Sequence, residues 1–429
     1  MLISFKTLGC RVNLFETDAL ASRFKAEGYE VVNSGEADIF VVNTCTVTNT
    51  SDQKCRQAIH QIRRKNPSAL IVVTGCMVNH RKEELIQEGI ADYVIDNERK
   101  SAIFDIVDEH FRNGHSDPEG YDRDLFSYQP AFDTFHTRSL IKIHDGCNNF
   151  CSYCIIPMVR GRSTSRPAED IYHNICEVVA HGFKEVVLTG VNMGRYKDGE
   201  TNFESLVEHI INIKGDFRVR VSSIEPDQFS DRFLRLFQHE KLAPHMHICL
   251  QSGSEDTLRR MRRFYSVAQF REMCQRIKTF RPDFNITTDI IVGFPGETEE
   301  TFQESCAFAR EIGFSHIHTF KYSKRTGTRA AAMPDQVTEA EKSRRSEIMR
   351  TISAENKRNY FEQMKGNKQR LLIERIDTKG VARGYGENYI PIQVQEGRLM
   401  KNTFVEVTLG EILNKGNEDK MCLVGRPAT

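Results

Sequence analysis

No stretch of this 429-residue chain approaches the ~18 consecutive apolar residues of a membrane helix, so a membrane-spanning class is not expected. The opening MLISFKTLGC has neither a long apolar run nor a signal-cleavage pattern, and a cytoplasmic location is the expectation. An excess of one charge is also missing, because 59 Lys and Arg meet 59 Asp and Glu. A zero sum neither suggests nor excludes a nucleic-acid partner, since a local patch can hide within it. Internal repeats and low-complexity tracts are lacking too. Cysteine is plentiful, with twelve in the chain. In a long cytosolic chain that number points to metal binding or catalysis rather than disulfides. Six cysteines form two patterned sets. The other six (Cys55, Cys176, Cys249, Cys274, Cys306, Cys422) lie singly in apolar or helical contexts and read as small buried hydrophobes.

Residues 1–96 alternate strand and helix. ISFKTLG, ADIFVVNT and ALIVVTG have strand length and are followed by helical stretches at Asn13–Glu27, Ser51–Lys65 and Asn79–Glu88. This rhythm predicts an open parallel α/β sheet, within an amino-terminal domain over 1–112. Residues 113–135 are polar with Gly and Pro and read as a linker. Residues 136–362 repeat the rhythm with strands expected at Ser139–Asp145, Glu185–Thr189, Arg218–Ser222, Met246–Leu250, Asn285–Val292 and Ser315–Tyr322. Six units suggest a partial (β/α)6 barrel, with chemistry on the loops that follow the strands. A long helix is expected over 338–365, with Thr338 and Glu341 at capping-box spacing and Gly366 able to end it. From 364 to 429 the short runs RLLIERI, IPIQVQ, TFVEVTLG and MCLVG predict a small β-barrel of a size common in nucleic-acid binding.

Cys147, Cys151 and Cys154 form C-x3-C-x2-C on the loop after the first barrel strand. Three thiolates can hold three irons of a 4Fe-4S cluster and leave the fourth open. Zinc is the competing reading, but it usually takes four ligands in paired C-x2-C spacings. Cys10, Cys45 and Cys76 are far apart in sequence but share a context: each stands just past the carboxyl end of an expected parallel strand, in TLG-Cys10, VNT-Cys45 and VTG-Cys76. Such ends lie along one sheet edge, so three thiolates should converge there and suggest a second 4Fe-4S cluster. An open iron in it could hold a soft sulfur anion. Three unrelated buried structural cysteines are the alternative.

The C-x3-C-x2-C spacing, with Tyr153 just before its last cysteine, resembles the radical S-adenosylmethionine (SAM) superfamily. Further stretches fit that pattern: LTGVNMG (Leu188–Gly194), SSIEP with Glu225, LQSGS (Leu250–Ser254) and DIIVGFPGET (Asp289–Thr298). The resemblance implies SAM contacts at Tyr153, Thr189, Gly190, Asn192, Glu225, Gln251, Ser252, Val292 and Phe294. Adding Gly9–Thr17, Asn43–Cys45, Thr74–Cys76 and DGCNNFCSYCIIPMVRGRSTSR (Asp145–Arg166), nearly the whole chain is similar to the methylthiotransferase family, and its terminal domain resembles a TRAM RNA-binding module.

The family resemblance implies two 4Fe-4S clusters on the two cysteine sets and SAM as cofactor. One SAM would supply a methyl group for sulfur, and a second would give the radical that abstracts hydrogen from an adenine carbon 2. Arg11-Val12-Asn13 after the first cysteine is most like the subfamily acting on threonylcarbamoyladenosine beside the tRNA anticodon. The alternatives are the same chemistry on isopentenyladenosine or on a ribosomal-protein aspartate, and, from another class, a non-enzymatic iron–sulfur RNA-binding protein. The implied partners are tRNA and an electron donor such as flavodoxin or ferredoxin, with no DNA and no membrane. RNA contacts are expected at Arg160, Arg162, Lys324 and Arg325, within basic clusters that also hold Arg166, Arg259, Arg260, Arg262, Arg263, Lys321 and Arg329. Tyr385 and Phe404 could stack bases, although core packing fits Phe404 better. No general base is nominated. Lys142 and His144 are polar candidates, and a lone histidine near a strand end is more often hydrogen-bonded structure.

Overall fold

The computed structural model describes residues 1–33, 35–132, 137–227, 229–395 and 399–427. Positions 133–135 of the expected linker, and 396–398 and 428–429 of the terminal domain, lie outside the described residues.

The amino-terminal unit is a five-stranded parallel sheet. Its strands are β1 (Leu2–Thr7), β2 (Glu30–Val32), β3 (Ile39–Thr44), β4 (Leu70–Gly75) and β5 (Tyr93–Ile95), in the order β2-β1-β3-β4-β5. β3 and β4 open on apolar runs and are buried along their whole lengths, as befits central strands covered on both faces. Helices α1 (Arg11–Ala26), α2 (Asn49–Lys65), α3 (Cys76–Glu88) and α4 (Ile103–Asn113) connect and cover them. α2 starts where the Thr48 side chain accepts from Ser51 N at 3.1 Å, and Gly89 and Gly114 end α3 and α4 in the left-handed conformation.

Six parallel strands form the central partial barrel: Arg138–Asp145, Glu185–Gly190, Arg218–Val221, His245–Ile248, Asn285–Val292 and His316–Lys321. The ladder is divided after the third strand. Strands one to three form one sheet, while Ser223–Ile224 opens a second with strands four to six. Alternate positions (Ile141, Ile143, Val186, Leu188, Met246, Ile248) face the helices in one large core. The intervening positions, among them Lys142, His144, Arg220, His247 and Asp289, leave the interior polar.

Helix Glu339–Met364, capped by Thr338, leads into a closed five-stranded barrel of Lys368–Ile376, Ala382–Tyr385, Pro391–Val394, Phe404–Leu413 and Cys422–Pro427. Arg218 donates to Arg370 O at 3.0 Å and joins this barrel to the central one. The segment read as a free linker is packed instead. Tyr128 is buried edge-on against Phe15, and Leu125 O accepts from Lys142 at 2.9 Å. Its polar composition hid this aromatic anchor.

Candidate active site

The parallel register sets Thr7 beside Asn43 and Thr44 beside Gly75, so Cys10, Cys45 and Cys76 emerge at one edge of the sheet. Two glycines make the close approach possible. A Cβ on Gly9 would lie 2.7 Å from the Cys45 Cβ, and one on Gly75 would lie 2.3 Å from Thr44 O; both have positive φ, +109° and +102°. Asn13 ties the loops together, donating to Leu8 O and Thr44 O at 2.9 Å each. Cys55, expected to be only a buried hydrophobe, also positions the site, because its sulfur accepts from Cys45 N at 3.3 Å.

The second trio sits on the loop after the first barrel strand. Gly146 turns it at φ +66°, where a Cβ would lie 1.9 Å from Arg162 O. Three donors reach its sulfurs: Asn149 N to Cys147 at 3.4 Å, Asn192 Nδ2 to Cys147 at 3.5 Å, and Arg263 Nη1 to Cys151 at 3.1 Å. Arg263 also pairs with Glu225. Burial pushes the free Cys45 thiol up to about 11 and the free Cys154 thiol up to about 12. Thiolates there need cationic partners, as iron supplies. Converging sulfurs, each trio with at least one N–H donor aimed at it, fit a 4Fe-4S cluster at each site.

The two trios share a neighbourhood. Cys76 packs with Ile155 and Val159, just past the second trio. Asn97 Nδ2 lies 3.8 Å from the Cys76 sulfur and donates to Val159 O at 3.0 Å. A cavity of about 200 Å³ is lined by Val47 and Thr48 from one cysteine loop, Tyr153 and Cys154 from the other, and Gln251, Asp289 and Phe320 from the barrel.

Beside the Cys76 sulfur lies a buried charge cluster built by both halves. Glu16 accepts from Lys100 at 2.5 Å, Lys142 at 2.8 Å and Arg160 at 3.2 Å. Asp145 accepts from Lys142 at 2.6 Å and Arg160 at 2.8 Å. Burial alone would raise the Glu16 carboxyl, but Arg160, Lys100 and Lys142 outweigh it and hold it well below the usual range. Arg160 Nε donates to the Cys76 sulfur at 3.2 Å. Three cations thus meet two carboxylates, and a Cys76 thiolate brings the set to neutrality.

These contacts correct several expectations. Arg160 is buried and bound to Glu16, Asp145 and Cys76, so it offers nothing to RNA. Arg325 is buried too, donating to Thr46 at 2.6 Å and Asp52 at 2.8 Å across the domain boundary. Arg166 is buried on Asn174, and Arg263 serves the second trio. Arg162 and Lys324 are exposed. Of the expected SAM contacts, Asn192 and Glu225 come to the second trio, and Tyr153 and Gln251 line the cavity. Thr189 and Gly190 end the second barrel strand. Val292 and Phe294 are buried; the Phe294 ring packs edge-on against Tyr153 and Tyr322. The Ser252 hydroxyl turns away, shared with Ser305 at 3.1 Å. His144 is structural, at 2.8 Å from Ser163 and accepting from Asn192 N, and burial lowers it to about 4. Cys249 is no simple core hydrophobe, since it stands in the polar interior with His247 and Asp289. Phe404 lies under the Arg370 guanidinium at 3.8 Å and Tyr385 stacks on Tyr389, so neither presents a free ring.

Residues 2–96 match the family described as "Uncharacterized protein family UPF0004", and residues 141–309 match the radical SAM superfamily. The threonylcarbamoyladenosine tRNA methylthiotransferase of Bacillus subtilis is 37% identical over 95% of this chain and 93% of its own. The chain belongs to the methylthiotransferase family of radical SAM enzymes. The Thermotoga maritima enzyme of the same name is 36% identical over 90% of each chain. The tRNA-2-methylthio-N(6)-dimethylallyladenosine synthase of Pelotomaculum thermopropionicum is 36% identical over 89% of this chain and 88% of its own. Among solved structures, the radical SAM methyltransferase TsrM of Kitasatospora setae shares the fold, with TM-score 0.56 over 77% of each chain at 14% identity. No helix among the described residues is long and apolar enough to cross a membrane.

Proposed function

We propose that this methylthiotransferase adds a methylthio group to carbon 2 of N(6)-threonylcarbamoyladenosine beside the anticodon of tRNA. The observation that supports the reading is one cavity bordered by Val47 and Thr48, just after Cys45, and by Tyr153 and Cys154 of the other cysteine loop, where a nucleobase would lie close to both proposed metal sites. When bound, SAM at the second trio supplies a carbon-centred radical, and the amino-terminal cluster supplies a place to hold sulfur. Carbon 2 of adenine is neither acidic nor joined to a leaving group, so a radical route suits it.

The chain's own residues hold and shield. Asn192 and Arg263 orient the Cys147 and Cys151 sulfurs, and Tyr153, Ile291 and Tyr322 wall the cavity with hydrocarbon that excludes water. Gln251 and Asp289 offer polar atoms to a nucleobase edge. Exposed Phe320, with Lys321 and Lys324 next to it in sequence, offers a ring face, and these lysines with exposed Arg162, which lies over the Phe150 ring at 4.6 Å, offer phosphate-binding charge to a single-stranded loop. A one-electron donor of the flavodoxin or ferredoxin type would complete the cytoplasmic reaction.

The test is mass spectrometry of tRNA nucleosides from a strain lacking the gene. Loss of the 2-methylthio-threonylcarbamoyl nucleoside, with its precursor accumulating, is expected. Loss of the isopentenyl analogue instead would overturn the substrate assignment.

A further inference from the structure

A second cavity, of about 520 Å³, opens where α1, the barrel interior and the terminal β-barrel meet. Among the described residues, its lining holds five cationic side chains (Arg11, Arg138, Arg220, Arg375 and Lys401) and a single carboxylate, Glu374. Among the described residues, the carboxylates behind it are already engaged. Glu185 is shared by Arg138 at 3.6 Å, Arg218 at 2.5 Å and Arg220 at 3.0 Å, and Glu374 is taken by Arg138 at 2.5 Å. Arg220 is 1% exposed, yet its Nη1 has no hydrogen-bond partner among the described residues. A buried guanidinium N–H without an acceptor is costly unless a ligand provides one. Arg11 likewise has neither hydrogen bond nor ion pair among the described residues. The positive field is felt nearby. Burial would raise the Tyr389 hydroxyl, but Arg138, Arg11 and Arg220 together pull it down.

Location ties this cavity to the reaction. Arg11 directly follows Cys10, at the first residue of α1. Arg138, Leu140, Val187 and Arg220 stand on the interior face of the first three strands, below the cysteine loop. Because Arg11 lines the cavity and directly follows Cys10, a nucleobase held beside the first trio would have this basic space next to one of its substituents. Leu14, Leu140 and Val187 give it an apolar wall as well. An amphiphilic acid, with a carboxylate and a short aliphatic part, matches that lining. A wholly apolar tail would strip water from the guanidinium groups without replacing their hydrogen bonds.

The geometry points to Arg11 and Arg220 as a carboxylate clamp that reads the amino-acid carboxylate of the N(6) substituent and so sets substrate specificity. This rests on the threonylcarbamoyladenosine reading and deepens it. A backbone phosphate of the same tRNA has similar oxyanion chemistry, and the test separates the two.

Fluorescence anisotropy with the full-length, cluster-reconstituted protein would compare three anticodon stem-loops: one with threonylcarbamoyladenosine, one with its methyl ester, and one with plain adenosine. Wild type should bind the acid about 10- to 100-fold tighter than the ester, the span of one or two charge-assisted hydrogen bonds. Arg11→Gln should shrink that ratio below about threefold with little change in affinity for plain adenosine, and Arg11→Lys should restore much of it. Arg220→Lys keeps the charge facing Glu185 and should lower the ratio in part. A wild-type ratio near one, or a ratio left intact by Arg11→Gln, would overturn the clamp. Equal weakening of all three stem-loops would assign Arg11 to phosphate and also overturn it. If the deletion strain keeps its methylthio-threonylcarbamoyl nucleoside, the proposed substrate fails; if that nucleoside is lost but the ratio survives, only the clamp fails.

Discussion

Replacing Glu16 by Gln should be among the most destabilising single changes in the protein. The carboxylate accepts from three buried cations, and Lys100 and Lys142 have no more than 1% side-chain exposure. Gln keeps the shape but, among the described residues, leaves Lys142 and Arg160 with Asp145 as their one carboxylate and Lys100 with none. Breaking a buried pair costs about 3–5 kcal/mol, because the surviving charges stay out of water. At roughly 2–4 °C per kcal/mol for a unit of this size, Tm should fall by about 6–20 °C. Anaerobic differential scanning fluorimetry reads this directly. The double variant Glu16→Gln with Lys100→Met removes one surplus cation and should recover part of the loss, a positive coupling in a double-mutant cycle. A drop under about 2 °C for the single variant, or no recovery in the double, would refute the charge accounting.

Three further expectations concern individual groups. Asp18, inside α1, is raised by burial from 3.8 to about 7. Its folded value lies above its unfolded one, so the penalty grows as pH rises from about 4 to 7 and is complete above that. Asp18→Asn should thus stabilise the protein at pH 8 by up to about 4 kcal/mol and hardly at all below pH 4, read from urea midpoints. Arg263→Gln removes the donor to Cys151 and should lower SAM cleavage about 10- to 100-fold, measured as 5′-deoxyadenosine, with a shifted cluster potential. Replacing Cys10, Cys45 and Cys76 together by Ala should reduce iron from roughly eight to roughly four per chain while SAM cleavage persists; unchanged iron would remove the amino-terminal cluster.

Regular elements were legible where apolar periodicity is long. Asn285–Val292 was read with its observed ends. β2, β5 and Ala382–Tyr385 were missed because three or four residues carry too little pattern. α3 begins at Cys76 rather than Asn79, since Gly75 can take the positive φ that starts the helix at once. At the site, Cys45 and Cys76 directly follow their strands while Cys10 stands three residues past β1, and the parallel register sets all three at one edge of the sheet. The arginines were less legible. Arg160 and Arg325 looked like surface charge because sequence shows a cation but not the carboxylate, more than a hundred residues away, that buries it. Glu16 did leave a trace, as an acid within the otherwise apolar face of Phe15, Ala19 and Leu20.

Arg325 reaches from the end of the barrel to Thr46, next to Cys45, and to Asp52 and Asn49. It acts as a crossbar, tying the loop after the sixth barrel strand to the loop that carries Cys45. A cavity of about 200 Å³ between such tied loops has room for one base and not for a stacked anticodon loop. The adenosine must swing out of its stack and enter alone, so methylthiolation should slow wherever neighbouring bases hold the target nucleotide in.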